Sequence, residues 1–264
     1  MTTYEIANII ITVSELYFIS DGWIKFKSES YNLSNIFLKI EKTIPPEYTN
    51  IEFFKIFMVK GFLVRLNRED IAYVSENWMM AQIYPIQNKE NFSLFLAQIF
   101  YTHAVQRHMI QIHSSLIEYK GRGLMFLGPS GIGKTTQAEL WNKYRDALII
   151  NGDIVFVQET EECFLGWGTP WHGSSPYCEN TSVPVHAMIV LKQAPENSIR
   201  ELTGFEKVTT VSDSVFYPRW LENGMELCLE TLDHLMSALP VYELSCRPDE
   251  DAVALTEKTV FGGC

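Results

Sequence analysis

Nine residues near the middle of the chain have the types and spacing of a phosphate-binding loop. Residues 128–136 match the pattern G-x-x-x-x-G-K-[ST] at every fixed position. The glycines let successive backbone N–H groups point at phosphate oxygens, Lys134 supplies positive charge, and the Thr135 hydroxyl can ligate Mg²⁺. The predicted phosphate-contacting residues are Gly128, Pro129, Ser130, Gly131, Ile132, Gly133, Lys134, Thr135 and Thr136. The alternative is a glycine-rich turn that matches by coincidence.

The elements around this loop must hold it in place. An apolar run, residues 124–127, leads in, and a helix-like run, residues 136–141, leads out. Residues 110–119 have the composition of a strand, and a four-residue turn with two glycines, residues 120–123, joins them to the loop strand. Such a pair predicts a β-hairpin, so the loop strand has an antiparallel neighbour and the sheet is mixed.

An acidic residue follows the loop at a distance that allows it to return. Asp153 lies 19 positions after Lys134, within the apolar stretch 147–157, which leaves room for one helix and one turn. An acid at such a position is a typical second Mg²⁺ contact or catalytic base in phosphoryl transfer. The alternative is that Asn151, Gly152 and Asp153 form only a turn, because Asn-Gly is a strong turn dipeptide.

Residues 168–177 combine glycine, proline and aromatic residues, as loops that line sites often do. Trp171, His172 and Gly173 are therefore candidates for contacts with a substrate. His172 is either a proton shuttle or a structural hydrogen-bonding residue.

The remaining patterns predict an α/β chain with α+β character. Residues 1–104 form a β-rich region plus a linking helix, which is predicted from Asn91 through Met109, and residues 105–264 form the nucleotide-binding domain. Further strands are expected over 185–191 and 241–244, and helices over 225–239 and from Arg247 onward. The N-terminal strand candidates are 4–13, 54–60, 62–66, 71–74 and 80–84, the last closed by Pro85. This region is either a substrate-recognition module or a covering layer.

Composition limits the partners. The net charge of −11 over 264 residues argues against nucleic acid or an anionic membrane surface. Residues 1–110 carry 10 basic and 11 acidic side chains, so the excess negative charge lies further along. The five cysteines form no C-x-x-C pair, and no apolar leader or membrane-length run is present. The expected location is the cytoplasm.

The order of these motifs resembles the HPr kinase/phosphorylase family and its HPr-kinase-like relatives, within the phosphoenolpyruvate-carboxykinase-like fold. The resemblance covers about residues 105–264. It is carried by His113-Ser-Ser, residues 128–136, Asn151-Gly-Asp153, Gly168-Thr-Pro-Trp-His-Gly173 and Leu239-Pro-Val followed by Cys246-Arg-Pro-Asp249. It implies a mixed-sheet domain with a phosphate loop.

The resemblance also implies roles for individual residues. The family's histidine in the strand before the loop falls on His113, and its late phosphate-contacting arginine falls on Arg247. Its paired aspartates fall on Gly152 and Asp153, so one acid is missing here. Either Asp153 would be the base while Thr135 and the phosphates hold the metal, or another group assists. His113 is the nearest candidate for that group, and its alternative is a hydrogen-bonded core residue. Members of the family often assemble, so a homo-oligomer is compatible with the resemblance.

These expectations lead to a kinase that uses ATP and Mg²⁺. The acceptor would be a Ser/Thr-type hydroxyl on a peptide, a protein or a small molecule such as free serine. The alternative is a nucleotide-binding regulatory or peptide-binding module without transferase activity, because one acid is missing. A decarboxylating kinase is disfavoured, since no set of metal-ligating His and Lys residues is evident.

Overall fold

A computed structural model describes residues 1–14, 20–29, 35–40, 61–65, 71–83 and 89–262. The chain divides into two units, Met1–His103 and Ala104–Cys264. The strand expected over 54–60 and Pro85 lie outside the described residues. None of the described helices is long and apolar enough to cross a membrane.

The described part of the first unit is dominated by strands. Its elements are β1 (Thr2–Ile6), β2 (Ile9–Val13), a 3₁₀ helix (Asp21–Phe26), β3 (Lys27–Ser28), β4 (Ile36–Ile40), β5 (Gly61–Arg65), β6 (Ile71–Ser75) and β7 (Met80–Ile83). Among the described residues these seven strands form one sheet in the order β3-β1-β2-β4-β7-β6-β5. The predicted strand over 4–13 is instead a hairpin, because Ala7 and Asn8, at φ 46° and 60°, turn the chain between β1 and β2.

Helix α1 (Lys89–Val105) leads from this region towards the next strand. The predicted boundaries were wrong at both ends. Asn91 lies inside the helix, and the helix ends four residues before Met109, because Met109 already begins β8.

The second unit alternates strands and helices. Its elements are β8 (Met109–Tyr119), β9 (Arg122–Leu127), α2 (Lys134–Arg145), β10 (Leu148–Asn151), β11 (Ile154–Glu159), β12 (Phe164–Trp167), β13 (Ser182–Gln193), β14 (Ser198–Leu202), α3 (Gly204–Ser212), β15 (Val215–Phe216), α4 (Gly224–Ala238), β16 (Val241–Cys246) and α5 (Glu250–Phe261). The expected strands over 185–191 and 241–244 and the helix over 225–239 correspond to β13, β16 and α4. Elements β14, α3 and β15 were not predicted.

The described strands of this unit form a nine-stranded mixed sheet. Its main path runs β10-β8-β11-β12-β13-β16-β14; β9 pairs with both β8 and β13, and β15 pairs with β8. The pairs β9–β13 and β13–β16 are parallel, whereas β8–β9 is antiparallel. The α+β class with a mixed sheet is therefore confirmed.

The hairpin before the loop is tighter than the sequence suggested. Only Lys120 and Gly121, at φ 52° and 76°, form the turn, and Arg122 and Gly123 already belong to β9. Positive φ at both turn residues is the geometry of a two-residue hairpin turn, and glycine adopts it without strain.

Helices α2 and α5 cover one face of the sheet around an aromatic cluster. The Trp141 side chain is fully buried, with ring centroids 5.3 Å from Tyr119 and 6.1 Å from Phe261. The Tyr119 hydroxyl donates to Glu257 Oε1 at 2.6 Å, and Arg145 forms an ion pair with the same carboxylate. These contacts fix α5 against α2, and α2 begins at the phosphate loop.

We predict that Trp141→Ala lowers the free energy of unfolding by about 3–5 kcal/mol, because it leaves a cavity in this cluster. Urea denaturation followed by circular dichroism would measure the change. Leu229→Ala on α4 is the control, since Leu229 is 48% exposed and its truncation should cost less than about 0.5 kcal/mol. Equal losses in the two variants would contradict the assignment of this cluster as the core beneath α2.

Candidate active site

Strand β8 changes its partners on both edges at His113 and Ser114. On one edge it pairs first with β11, up to His113, and then with β10, from Leu116 onward. On the other edge it pairs with β15 at residues 111–112 and with β9 from Ser114 onward. The neighbouring strands diverge here, as at the points where ligands bind in open sheets, and this point of divergence is called the gap.

Both predicted functional segments leave the sheet at this gap. Leu127 pairs with Ser114, and the next residue, Gly128, begins the phosphate loop. On the opposite edge, Ile154 pairs with His113, and Gly152 and Asp153 precede it in a bend between β10 and β11. The stretch 147–157 is therefore two strands interrupted by a turn, and that turn places Asp153 at the gap.

Residues 128–136, the predicted phosphate loop, have the backbone geometry that their glycines favour. Gly128, Gly131 and Gly133 have φ of 134°, 79° and 117°, which side-chain-bearing residues rarely adopt. The first helical hydrogen bond of α2 runs from Gln137 N–H to Gly133 O at 2.9 Å. The N–H groups of residues 134–136 therefore precede the helical ladder and are available to an anion.

Lys134 is held inside the loop. It is 6% exposed, and its Nζ donates to Gly128 O at 2.9 Å and to Pro129 O at 3.2 Å. Burial lowers the pKa of Lys134, and the nearby Asp153 carboxylate partly offsets that shift. An anion bound in the loop would stabilise the charged ammonium further.

Alternation along β8 directs two more side chains to the same face. Ser115 Oγ donates to Lys134 O at 3.0 Å and anchors the first turn of α2. Two residues earlier, His113 Nε2 lies 3.0 Å from Asp153 Oδ1, with the two side chains 26% and 31% exposed. Thr135 Oγ1 donates to Gly152 O at 3.4 Å. The structure thus brings Lys134, Thr135, Asp153 and His113 together.

The buried Asn151 side chain organises the bend that carries Asp153. Its Oδ1 accepts from Asp153 N–H at 2.9 Å and from Ile154 N–H at 3.0 Å. Its Nδ2 donates to Thr169 O at 2.9 Å, at the start of the loop 168–177. The sequence analysis noted Asn151 as part of a turn dipeptide and of the Asn151-Gly-Asp153 motif but gave it no role, so its link to the loop was missed.

The loop 168–177 packs directly on this bend. Gly173 has φ 58°, and a Cβ added there would lie 2.8 Å from Asp153 Cγ. A Cβ added at Gly152 would overlap with the Ser175 side chain. A side chain at position 173 would be strained and would clash with the carboxylate, and one at position 152 would displace Ser175, which fills that space.

The other two loop candidates are engaged away from Asp153. The Trp171 side chain is 5% exposed, with its ring tilted against Phe156 at 6.4 Å between centroids. The His172 ring contacts Ser175 O through Nδ1. Of the three residues, Gly173 is the one that the structure places against the Asp153 carboxylate.

Arg247 lies in a different wall of the site. It lines a cleft of about 540 Å³ that begins at the phosphate loop, and the lining residues are Gly131, Ile132, Gly133, Thr136, Gln137, Leu191, Lys192, Gln193, Ala194, Pro195, Cys246, Arg247 and Pro248. Arg247 Nε donates to Asp249 Oδ2 at 2.9 Å. Asp249 in turn caps α5, accepting from Ala252 N–H at 3.0 Å, so α5 begins three residues later than predicted.

The oxygen atoms at the gap suit Mg²⁺. No group of three or more His, Cys, Asp or Glu side chains that could hold a metal is present among the described residues. The Thr135 hydroxyl and the Asp153 carboxylate are hard oxygen ligands, and Mg²⁺ typically takes one or two protein ligands and completes its shell with phosphate and water.

The comparisons place the chain in a family. The sequence model described as SynChlorMet cassette protein ScmC matches residues 82–246, more than half of the chain. The chain belongs to the ScmC family. The family description names no reaction and no ligand.

Other comparisons are weaker. No curated protein matches this ScmC-family chain. Among solved structures, the Hpr(Ser) kinase/phosphatase from Coxiella burnetii is similar over 56% of this chain and 95% of that chain, with 10% sequence identity and a TM-score of 0.34. A similarity of this size does not establish a shared fold or activity.

We predict that Asn151→Asp lowers the free energy of unfolding by about 3 kcal/mol, because it puts an unpaired buried carboxylate against Thr169 O. Asn142→Asp is the matched control. Its Nδ2 also donates to a backbone carbonyl at 2.9 Å, that of Ala147, but Asn142 is exposed. The control should lose less than about 1 kcal/mol in urea denaturation. A loss at position 151 no larger than at position 142 would refute the organising role of Asn151.

Proposed function

We propose that the second unit is an HPr-kinase-like phosphate-loop domain and that the protein is a kinase. It transfers the γ-phosphoryl group of ATP, with Mg²⁺, to a Ser/Thr-type hydroxyl of a peptide, a protein or a small molecule. The observation that carries this proposal is the meeting of Lys134, Thr135, Asp153 and His113 at the point where β8 changes partners.

The phosphate loop binds the triphosphate. The N–H groups that precede the helical ladder of α2 and the buried Lys134 ammonium supply positive potential for the phosphate oxygens. The cleft beside the loop accommodates the nucleoside, since its volume falls within the range of about 300–1,000 Å³ typical of ligand sites. Arg247, in the wall of this cleft, adds a second cation for the phosphates.

Thr135 and Asp153 would hold Mg²⁺ beside the phosphates. The ion, when bound, neutralises charge on the phosphate oxygens. The chain's own residues position the reactants: Ser115 fixes the turn that carries Thr135, and Asn151 fixes the bend that carries Asp153.

Asp153 accepts the proton of the acceptor hydroxyl. His113 Nε2 donates to Asp153 Oδ1, because a carboxylate is an acceptor only, and this bond orients the carboxylate. The acceptor hydroxyl would approach from the side of the loop 168–177, where Gly173 lies against the other part of the carboxyl group.

One observation favours a second candidate, a nucleotide-binding regulatory or peptide-binding module without transferase activity. Ser175 fills the space beside Gly152, so the bend carries a single carboxylate. Calorimetric ATP binding without formation of ADP or of any phosphorylated product would support this candidate. A stoichiometric phosphoryl product would exclude it.

We predict that Lys134→Ala weakens MgATP binding about 10–100-fold, because charge-assisted hydrogen bonds are worth about 1.5–3 kcal/mol each. Isothermal titration calorimetry measures the affinity. Lys143→Ala is the control, since Lys143 is an exposed residue on the same helix and contacts Tyr144. Unchanged affinity in folded Lys134→Ala would remove the basis for placing phosphate in the loop.

We predict that Asp153→Asn slows phosphoryl transfer at least about 100-fold, because the amide cannot accept the proton. Transfer is followed with γ-labelled ATP and candidate hydroxyl acceptors, while calorimetry verifies nucleotide binding. Asp146→Asn is the control: this residue ends α2 with φ 54°, a conformation that asparagine tolerates. Full transfer by folded Asp153→Asn would show that Asp153 is not the base.

A further inference from the structure

Two sets of contacts hold the loop 168–177 over the Asp153 carboxyl group. One set involves residues before an exposed serine in the chain, and the other involves the residue after it. Before that serine, Asn151 Nδ2 donates to Thr169 O at 2.9 Å, and Gly173 lies against Asp153. After it, the Ser175 side chain packs against Gly152. The residue between these two contacts is Ser174.

Ser174 has no structural task of its own among the described residues. It is exposed, and its hydroxyl has no hydrogen-bond partner there, in contrast to the next serine, Ser175, which is 8% exposed and whose Oγ accepts from Tyr177 N–H at 3.2 Å. The Ser174 hydroxyl is therefore available for chemistry without the loss of a hydrogen bond of its own.

Chain geometry bounds the distance from Ser174 to the proposed base. A Cβ on Gly173 would lie 2.8 Å from Asp153 Cγ, and consecutive Cα atoms are about 3.8 Å apart. The Ser174 Cα thus lies within about 8 Å of the carboxyl carbon. Rotation of the side chain and a small displacement of the loop bring its hydroxyl to hydrogen-bonding distance of Asp153, as a general base requires.

We propose that Ser174 is an acceptor hydroxyl of this site and that the protein phosphorylates its own loop in cis. This inference rests on the proposed kinase function. The Ser174 Oγ–Pγ bond forms and the bond between Pγ and the bridging oxygen breaks. The bond's electron pair leaves on the β-phosphate of ADP, and the hydroxyl proton passes to Asp153 and then to solvent.

The test is incubation of the full chain with γ-labelled ATP and Mg²⁺, followed by mapping of the modified residue by tandem mass spectrometry. The expected product carries one phosphoryl group on Ser174. The first-order rate constant should be independent of protein concentration across a dilution series, because the acceptor is in the same chain. Asp153→Asn should slow the reaction at least about 100-fold.

Three variants sharpen the test. Ser174→Ala should abolish the label without changing the urea midpoint, and Ser174→Thr should restore it as phosphothreonine. Ser198→Ala, at an exposed serine on β14, should be labelled like the natural chain.

The outcomes separate this inference from the proposed function. Label on a residue other than Ser174, or a rate that rises with protein concentration, overturns the cis acceptor. Transfer to an added acceptor without label on Ser174 also overturns it and leaves the kinase standing, whereas ADP formation with no phosphorylated product is hydrolysis and overturns both. A folded chain that binds ATP but forms neither label nor ADP overturns both.

Discussion

At His113 and Ser114, strand β8 exchanges its partner strands on both edges, and the candidate site depends on that double exchange. Beyond this level Gly128 leaves the sheet, and Asp153 lies in the bend before β11, where its carbonyl still accepts from Ser114 N–H at 2.9 Å. Because both edges open together, the start of α2 and the bend after β10 face one another across β8. Alternation then directs His113 and Ser115 towards these two segments. The local backbone geometry of one strand thus positions the charged groups.

Close packing of small residues constrains the acidic side of the site. Gly152 admits the Ser175 side chain, and Gly173 admits the Asp153 carboxyl group, so the loop 168–177 sits where larger residues would force it outward. Asn151 ties the same loop to the bend by hydrogen bonds in both directions. The glycine at position 152 is therefore not independent of its surroundings. It is coupled to the position of the loop, since a side chain at position 152 requires Ser175 to move.

The sequence predicted those parts of the site that depend on residues close together in the chain. The phosphate loop is contiguous, and positive φ at its glycines follows from their type. The hairpin before it and the return of Asp153 follow from short spacings. The hydrogen bond between Asn151 and Thr169 joins residues that are 18 positions apart, and no periodic pattern in the sequence indicates it.

Strand β14 was missed because four of its five residues are at least partly exposed, so no strong apolar pattern marks it. The two-residue β15 is defined only by pairing with β8.

In the proposed kinase, the surroundings of the Asp153 carboxyl group would decide which hydroxyl can reach it. His113 occupies Oδ1, and the backbone at Gly173 crowds the rest of the group. An incoming acceptor must therefore share the carboxylate with His113 and displace the loop, or be carried by the loop itself. Both routes make the residues 168–177 part of acceptor selection, while the phosphate loop and the cleft beside it deal with the nucleotide. The proposed kinase would thus recognise its phosphoryl donor and its acceptor at opposite edges of β8, with Lys134 and Asp153 near one another between them.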